Sequence, residues 1–319
     1  METSITDQLQ TSAVRDLAWA LEGPSLIDGA AAEILGRFVS DAELQAKLKK
    51  ALPRLLALDR EPRVLEEFVA VHRENNRLGN YFESLLAFSL ENLLEARDLR
   101  FRIPIRDARR TLGELDFVFR DEASGEWEHW EATVKFYLRT GSDLASCYGI
   151  DPTDNLHLKL RRTLDHQLTL PGRPETQAIL ARYGVPLLRS RALMKGILFD
   201  PKPDPLRAPL DLGPLPPPIA PGRARGWWAR AGEVWWETME RESYWVVLPK
   251  YRWLSPIRTS SREELLKGET LIENLLLHFG EGTSPQMLAR MEHRNDAWHE
   301  VERGLVVGHD FPRLSPSRV

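Results

Sequence analysis

The sequence of 319 residues is 42% hydrophobic and 28% charged, with a formal net charge of −4 at pH 7. These values are typical of a globular chain, and they exclude a protein that attracts nucleic acid over its whole surface. The single cysteine, Cys147, excludes an intrachain disulfide. Neither a signal segment nor an apolar run of membrane-spanning length is evident, so we expect a cytoplasmic protein.

Residues 1–70 are predicted to be a helical lead-in to the rest of the chain. Apolar residues recur at helical spacing over residues 6–21. A second amphipathic helix is predicted over residues 41–52, with Asp41 as its N-cap and Pro53 marking its end. The segment contains no pattern that indicates catalysis.

A long helix with a broad apolar surface is predicted over residues 78–96. Glu83 lies three residues before Leu86 on that surface, so we expect its carboxylate to face inward. An inward glutamate requires either a metal ion or a cationic partner. A structural salt bridge with Arg73 or Arg77 is the alternative interpretation.

Residues 97–110 form a basic run between this helix and an acidic hairpin. The run contains six arginines and two aspartates: Arg97, Arg100, Arg102, Arg106, Arg109 and Arg110 against Asp98 and Asp107. Cations at this place would neutralise the phosphates of a nucleic acid bound beside the hairpin. The candidate nucleic-acid contacts are Arg102, Arg106, Arg109 and Arg110. The alternative is an ordinary solvated surface.

The hairpin itself has the most informative pattern in the chain. Apolar and polar residues alternate over 114–119 and again over 130–136, which predicts two strands, and the turn-forming residues 121–126 make them antiparallel. Three charged side chains are expected on one side of the hairpin: Asp116, Glu131 and Lys135. Two carboxylates beside an ammonium suit a divalent cation and an attacking water, whereas a solvated hairpin face is the simpler alternative.

A further helix is predicted over residues 154–168, with Asp154 as its N-cap. Gln167 lies beside the apolar stripe of this helix, so it is expected to point toward the core or a cleft. Lys159 and Arg162 give the helix a basic surface, and both are candidate nucleic-acid contacts.

A central strand is predicted over residues 192–199, which close a core of residues 71–200. Residues 201–222 contain nine of the 22 prolines and are predicted to be a linker or long loop.

Residues 223–319 form a tryptophan-rich extension, expected to pack on the core, with six of the ten tryptophans between positions 227 and 253. Such aromatics stack on unpaired bases in some proteins, but a small core or a subunit contact is the more common role. The elements predicted in the extension are strands at 235–236, 244–248 and 298–307, and helices at 262–279 and 285–292.

The order of these features resembles the PD-(D/E)XK, or restriction-endonuclease-like, nuclease superfamily. Residues 78–200 carry this likeness through a helical acid, a strand aspartate, a strand lysine and a following helix. The stretches R-L-G-N-Y-F-E, G-E-L-D-F-V-F, W-E-A-T-V-K-F-Y-L and D-H-Q-L also look like an uncharacterised bacterial domain-of-unknown-function family within that superfamily. The resemblance implies a mixed α/β fold with an α-β-β-β-α-β core, the helical lead-in before it and the tryptophan-rich extension after it.

The resemblance also implies a role for each matching residue. Asp116 matches the metal-ligating aspartate, and Lys135 matches the lysine that orients the attacking water. Glu83 matches a helical acid that supports the metal, and Gln167 matches a helix position that touches the site or the DNA in some members. Glu131 is taken as the second metal ligand and catalytic acid.

One position departs from the family pattern, because Thr133 stands where an acid usually lies two residues before the lysine. Strand geometry separates the α-carbons of Glu131 and Lys135 by about 13 Å, rather than the roughly 7 Å of the usual spacing. Either side-chain reach or a bulge brings the two side chains together, or the metal site is degraded.

The expected function is a Mg²⁺- or Mn²⁺-dependent nuclease that hydrolyses phosphodiester bonds, in DNA more than in RNA. Two alternatives stay open. The first is an inactive nucleic-acid-binding module on the same fold, and the second is a protein-interaction scaffold or homodimer that uses the tryptophan-rich region.

Overall fold

A computed structural model describes residues 4–72, 77–107, 110–186, 188–203, 211–233, 241–282 and 284–312. The chain divides into two compact units, each built from segments that are not consecutive. Unit 1 contains Met1–Lys135, Lys159–Gly196 and Pro217–Gly222, and unit 2 contains Phe136–Leu158, Ile197–Pro216 and Arg223–Val319. The proline-rich segment 201–222 is therefore divided between the two units.

Helices dominate the first part of unit 1. They are α1 (Ile5–Gln8), α2 (Ser12–Glu22), α3 (Asp41–Arg60), α4 (Arg63–His72) and α5 (Leu78–Asn92), followed later in the chain by α6 (Leu156–Asp165) and α7 (Pro174–Arg182). The helical character of the lead-in is thus confirmed.

Two details of the prediction for α3 are wrong. The helix does not end at Pro53 but continues through it to Arg60. Its N-cap is Ser40, whose hydroxyl accepts a hydrogen bond from the backbone N–H of Glu43 at 3.1 Å. The side chain of Asp41 instead accepts hydrogen bonds from Ser25, at 2.9 Å from its backbone N–H and 2.6 Å from its hydroxyl.

The strands of unit 1 follow the order β1, β2, β3, β5. In chain order the first strands are β1 (Ala96–Arg106), β2 (Thr111–Asp121), β3 (Trp127–Arg139), the short β4 (Cys147–Gly149) and β5 (Arg189–Pro201). β1 pairs with β2 and β2 pairs with β3, both antiparallel. The predicted hairpin is therefore confirmed, as is the strand at 192–199, which lies between two neighbours.

β1 was hidden in the arginine run. Its arginines alternate with Phe101, Ile103 and Ile105, and the two isoleucines are buried. The isoleucines pack with Leu115 of β2 in the core of unit 1. The apolar alternation was present in the sequence, but the density of charge obscured it.

The helix predicted over 154–168 is shorter than expected. α6 ends at Asp165, and Gln167–Gly172 forms a separate 3-10 helix. The side chain of Asn155, rather than that of Asp154, accepts a hydrogen bond from the backbone N–H of Leu158 at 2.9 Å. Gln167 is therefore the first residue of this 3-10 helix and not a residue of α6.

In unit 2 the strands follow the order β5, β6, β11, β10, β7, β9. These strands are β6 (Ala224–Arg230), β7 (Tyr244–Leu248), β8 (Arg258–Thr259), β9 (Leu266–Lys267), β10 (Gln286–Arg294) and β11 (Ala297–Val307), with helix α8 (Gly268–Glu281) between β9 and β10. β6 is parallel to β5 and β11, whereas β10 is antiparallel to both β11 and β7.

The helix predicted over 285–292 is wrong, because this segment is strand β10. Pairing on both edges makes this segment a strand, since every residue of β10 has a partner in β11 and five also pair with β7. The strands predicted at 244–248 and 298–307 are confirmed as β7 and β11, whereas the one at 235–236 lies outside the described residues. The predicted helix at 262–279 begins later, as α8.

The tryptophans of unit 2 are core residues where the structure describes them. Trp227, Trp228, Trp245 and Trp253 are all buried. Trp227 and Trp245 contact each other edge to face, with ring centroids 6.3 Å apart. Their burial supports the interpretation as a small core and leaves these four rings unable to stack on bases.

From α5 to β5 the helices and strands follow the order α5, β1, β2, β3, β4, α6, α7, β5, with the 3-10 helix Gln167–Gly172 between α6 and α7. The protein is thus a mixed α/β protein with a mixed sheet. Over the described ranges, none of the helices combines the length and apolar character needed to span a membrane. The cytoplasmic location itself stays a prediction.

Candidate functional site

Two carboxylates meet where β2 and β3 begin to separate. The antiparallel register pairs Phe117 with Trp130, so the next positions, Asp116 and Glu131, lie opposite each other. Asp116 interrupts the ladder, since its Oδ2 accepts a hydrogen bond from the backbone N–H of Ala132 at 2.8 Å. The hairpin therefore places these two acids side by side within unit 1.

The two carboxyl groups influence each other strongly. Burial raises the pKa of Asp116 well above its ordinary value, and the charges of Glu131 and Glu83 raise it further. Burial also raises the pKa of Glu131, although a side-chain hydrogen bond with Asp116 lowers it. In the absence of a cation, the pair thus favours holding a proton between the two groups.

Glu131 is buried despite its charge and has a defined partner. The side-chain amide of Gln167 donates from Nε2 to both carboxylate oxygens, at 3.0 and 3.1 Å. The amide oxygen of Gln167 lies 2.8 Å from Nδ1 of His166. The structure thus brings Gln167 to Glu131, and the neighbouring histidine, which the sequence analysis missed, holds the amide.

Glu83 lies near this pair but is engaged by an arginine. Its Oε2 accepts hydrogen bonds from Nε and Nη2 of Arg102 at 3.0 and 2.9 Å. Burial is the main cause that raises the pKa of Glu83, and the charges of Glu114 and Glu131 add to it. The salt-bridge interpretation of Glu83 therefore holds, with Arg102 as a partner that the sequence analysis did not name; Arg73 lies outside the described residues.

Arg102 occupies an unusual position for a nucleic-acid contact. Its φ angle is +55° in the middle of β1, a left-handed conformation that is costly for a residue with a side chain. The register of β1 with β2 places Arg102 opposite Asp116. Arg102, Asp116 and Glu131 thus form one row across three strands, and the arginine belongs to the site rather than to an outer surface.

The remaining basic candidates lie on the surface or close to the acids. Arg106, Arg110 and Arg162 are exposed, and Arg109 lies outside the described residues. The charge of Arg162 nevertheless lowers the pKa of Glu131, and Lys159 acts on both acids of the pair. Lys135 is half-buried on β3, and its charge lowers the pKa of Lys159. Several cations therefore surround the two carboxylates.

A hard divalent cation fits the donor set of the pair. Mg²⁺ commonly binds through one or two carboxylates and completes its coordination with water and substrate oxygens. Among the described residues, however, no group of three or more acidic, histidine or cysteine side chains is arranged to hold a metal ion. The predicted metal set of Asp116, Glu131 and Glu83 therefore does not assemble as a group of three, and the first two form the pair.

Comparison with known proteins adds one result. A family model described as "Domain of unknown function (DUF1853)" matches residues 15–307. No curated protein and no solved structure matches the chain. The match covers both units.

Proposed function

This chain belongs to the family DUF1853, and we propose that it is a metal-dependent nuclease with a restriction-endonuclease-like core in unit 1. The observation that supports this proposal most is the buried pair Asp116 and Glu131, held between Gln167 and nearby cations. Two acids with raised pKa values beside positive charges are unusual in a merely structural strand pair. Likeness of fold alone does not decide activity.

In the proposed site, Asp116 and Glu131 hold Mg²⁺ or Mn²⁺. The cation would supply Lewis-acid polarisation of a phosphoryl oxygen and a lower pKa for a bound water. Gln167 fixes the carboxylate of Glu131, and Arg102 keeps Glu83 beside the pair. Lys135 orients the attacking water, whose oxygen bonds to phosphorus as the bridging oxygen leaves; the water proton passes to solvent or to that leaving oxygen.

The excess of cations around the pair favours an anionic polymer as substrate. Lys135, Lys159 and Arg162 lie near the two acids, and Arg106 and Arg110 are exposed on β1 and the loop after it. Contacts with phosphates make binding strongly salt-dependent. We propose DNA ahead of RNA as the substrate.

Metal binding and cleavage test the proposal together. We expect calorimetry to detect Mg²⁺ or Mn²⁺ binding by the wild type and loss of binding in Asp116→Asn, which keeps the shape of the side chain. Glu126→Gln, at an exposed position of the same hairpin, should bind metal as the wild type does. Cleavage of DNA should require the metal and should be abolished by Asp116→Asn; full activity of that variant would refute the assignment.

One observation favours an inactive binding module as a second candidate. Thr133 occupies the usual position of an acid, and Glu83 is engaged by Arg102, so two carboxylates rather than three are brought together. In this case the protein would bind nucleic acid without divalent metal, with affinity that falls steeply as salt rises. Binding of this kind without cleavage would favour the second candidate.

A further inference from the structure

Helix α6 turns one side toward the interior of unit 1. Lys159 and Thr163 lie four residues apart, and residues at this spacing share a side of a helix. Thr163 is 1% exposed, which fixes the direction of that side. Lys159 therefore lies on the inward side of α6. Arg161 and Arg162, in contrast, are exposed.

The residues that follow α6 contact the carboxylate pair. Gln167 follows Thr163 by four residues, across the end of α6, and its amide contacts both oxygens of Glu131. That contact places the end of the segment 159–167 at Glu131 of β3. The contact at Gln167 fixes one end of the segment, and Lys159 occupies the other.

The charge of Lys159 reaches both acids. Burial raises the pKa of both acids, and the charge of Lys159 opposes it by lowering the pKa of Glu131 and of Asp116. Conversely, the charges of Glu131 and Asp116 raise the pKa of Lys159, although burial lowers it more. The charge of Lys135 also lowers the pKa of Lys159.

We infer that Lys159 is a catalytic residue of this site, whose ammonium binds a nonbridging oxygen of the scissile phosphate. The inference rests on the proposed nuclease function. It moves Lys159 from the outer nucleic-acid surface, where the sequence placed it, to the reacting group. A fixed cation at a phosphoryl oxygen stabilises the negative charge that accumulates in the transition state. Lys135 keeps the separate task of orienting water.

Two substitutions with two matched controls test the inference. Lys159→Met removes the charge and keeps much of the length of the side chain, and Lys159→Arg keeps the charge. Lys135→Met is the control for the other lysine of the site. Arg161→Met is the control for α6 itself, because Arg161 is exposed and pairs with Asp165 within the same helix.

The first measurement does not depend on activity. In metal-free buffer, the shift of the denaturation midpoint caused by Lys159→Met is compared in the wild type and in Glu131→Gln. We expect the substitution to lower the midpoint more, or to raise it less, in the wild type than in Glu131→Gln, since the lysine has less negative charge to offset when Glu131 is neutral. The same cycle with Arg161→Met should show no coupling. Equal shifts in both backgrounds would overturn the position assigned to Lys159.

The second measurement is cleavage of a DNA substrate with saturating metal. We expect Lys159→Met to lower kcat by about 10²-fold or more, as removal of a transition-state donor does. Metal affinity should be retained or increased, in contrast to Asp116→Asn. Lys159→Arg should recover part of kcat. A kcat of Lys159→Met within threefold of the wild type, on the order of 1 kcal/mol or less, would overturn the inference.

The two measurements distinguish a failure of the role inferred for Lys159 from a failure of the proposed nuclease function. Absence of cleavage by the wild type would overturn the nuclease proposal and the catalytic role together. The coupling of Lys159 with Glu131 would still decide whether the lysine faces the carboxylates. Cleavage that survives Lys159→Met but not Asp116→Asn would leave the nuclease proposal intact and reject the role of Lys159 alone.

Discussion

The buried charges of Asp116 and Glu131 lower the stability of the metal-free protein. Burial raises the pKa of both carboxyl groups, and the charges of Glu131 and Glu83 raise that of Asp116 further, which means that folding favours the protonated forms. The stability that this preference contributes is fully present below the ordinary carboxyl pKa of about 4. It is lost as the pH rises through the raised values. Such a cost is retained where a site needs it, as the proposed metal ligation does.

The first prediction follows from this loss of stability with rising pH. Asp116→Asn should raise the melting temperature of the metal-free protein at neutral and alkaline pH, because the amide stays uncharged and still accepts from Ala132 N–H. The gain should shrink toward pH 4, where the carboxyl is protonated as well. Thermal denaturation in the presence of a chelator measures both effects, with exposed Glu126→Gln as the control. A variant less stable than the wild type at pH 8 would contradict the electrostatic account.

His129 gives a second pH-dependent prediction, of opposite sign. Burial lowers its pKa to about 3, and its Nε2 has no hydrogen-bond partner among the residues that the structure describes. The folded protein keeps this histidine neutral, while the unfolded chain takes up a proton below about pH 6.5. Stability should therefore fall as the pH drops from 6.5 toward 3, by at most about 1.4 kcal/mol per pH unit from this residue.

The variant His129→Gln removes that proton uptake. We expect its stability to depend less on pH between 6.5 and 4 than that of the wild type, in urea denaturation at each pH. Exposed His157→Gln should retain the acid sensitivity of the wild type. Identical pH profiles for wild type and His129→Gln would show that the buried histidine is not the source of the effect.

At the scale of elements, close packing between β3 and β5 depends on one glycine. Gly196 of β5 has a φ angle of +146°, and a Cβ at this position would lie 1.7 Å from the carbonyl oxygen of Lys135. Both the backbone conformation and the available space exclude a side chain. The lysine of the proposed site is therefore positioned by a backbone contact with the neighbouring strand.

Gly196→Ala should consequently destabilise the protein by about 3 kcal/mol or more, because either strand must move. Gly79→Ala is the matched control: nothing lies within 4 Å of the added Cβ in α5, and a gain of about 0.5–1 kcal/mol is expected there. Chemical denaturation of the two variants gives the comparison. If Gly196→Ala were as stable as the wild type, the close approach of the strands would be refuted.

The elements show which parts of the fold the sequence revealed. The hairpin was predictable because β2 and β3 alternate strictly and are joined by a turn in which Asp121 accepts hydrogen bonds from Ala123 and Ser124. β10 was not, since its strand state depends on pairing with two strands distant in sequence. Pro53 was misread because a proline that usually ends a helix is tolerated inside α3.

The candidate site was likewise predictable only in part. Alternation identified Asp116 and Glu131 as facing one way, and the register across the hairpin then brought them together. The partner of Glu83 was not predictable, because it depends on β1 bringing Arg102 back to helix α5. Lys159 was assigned to the surface because basic residues on a helix usually lie there, whereas its spacing from buried Thr163 on α6 supports an inward position.

At the scale of the whole molecule, the predicted lead-in is part of unit 1 rather than an appendage. Arg191 of β5 donates to Glu43 of α3 at 2.6 and 3.0 Å, and to Glu128 of β3 at 2.9 and 2.8 Å. The side chains of Arg191 and Glu128 are only 4% and 3% exposed. A similar link joins Lys195 to Asp41 at 2.7 Å. Two buried cations thus tie the helical segment to the strands that carry the site.

These links give the last prediction. Arg191→Met should destabilise the protein by about 3–5 kcal/mol, because it leaves Glu128 buried without its bidentate partner. The double variant Arg191→Met with Glu128→Leu should recover much of that loss, since it removes the unpaired charge as well. Arg161→Met, which breaks the exposed pair with Asp165, should change stability by less than about 1 kcal/mol. Urea denaturation distinguishes the three variants. If Arg191→Met cost no more than Arg161→Met, the ion pairs of Arg191 would be incidental to the attachment of residues 1–70 to the strands, and the other contacts, such as Lys195 with Asp41, would have to supply it.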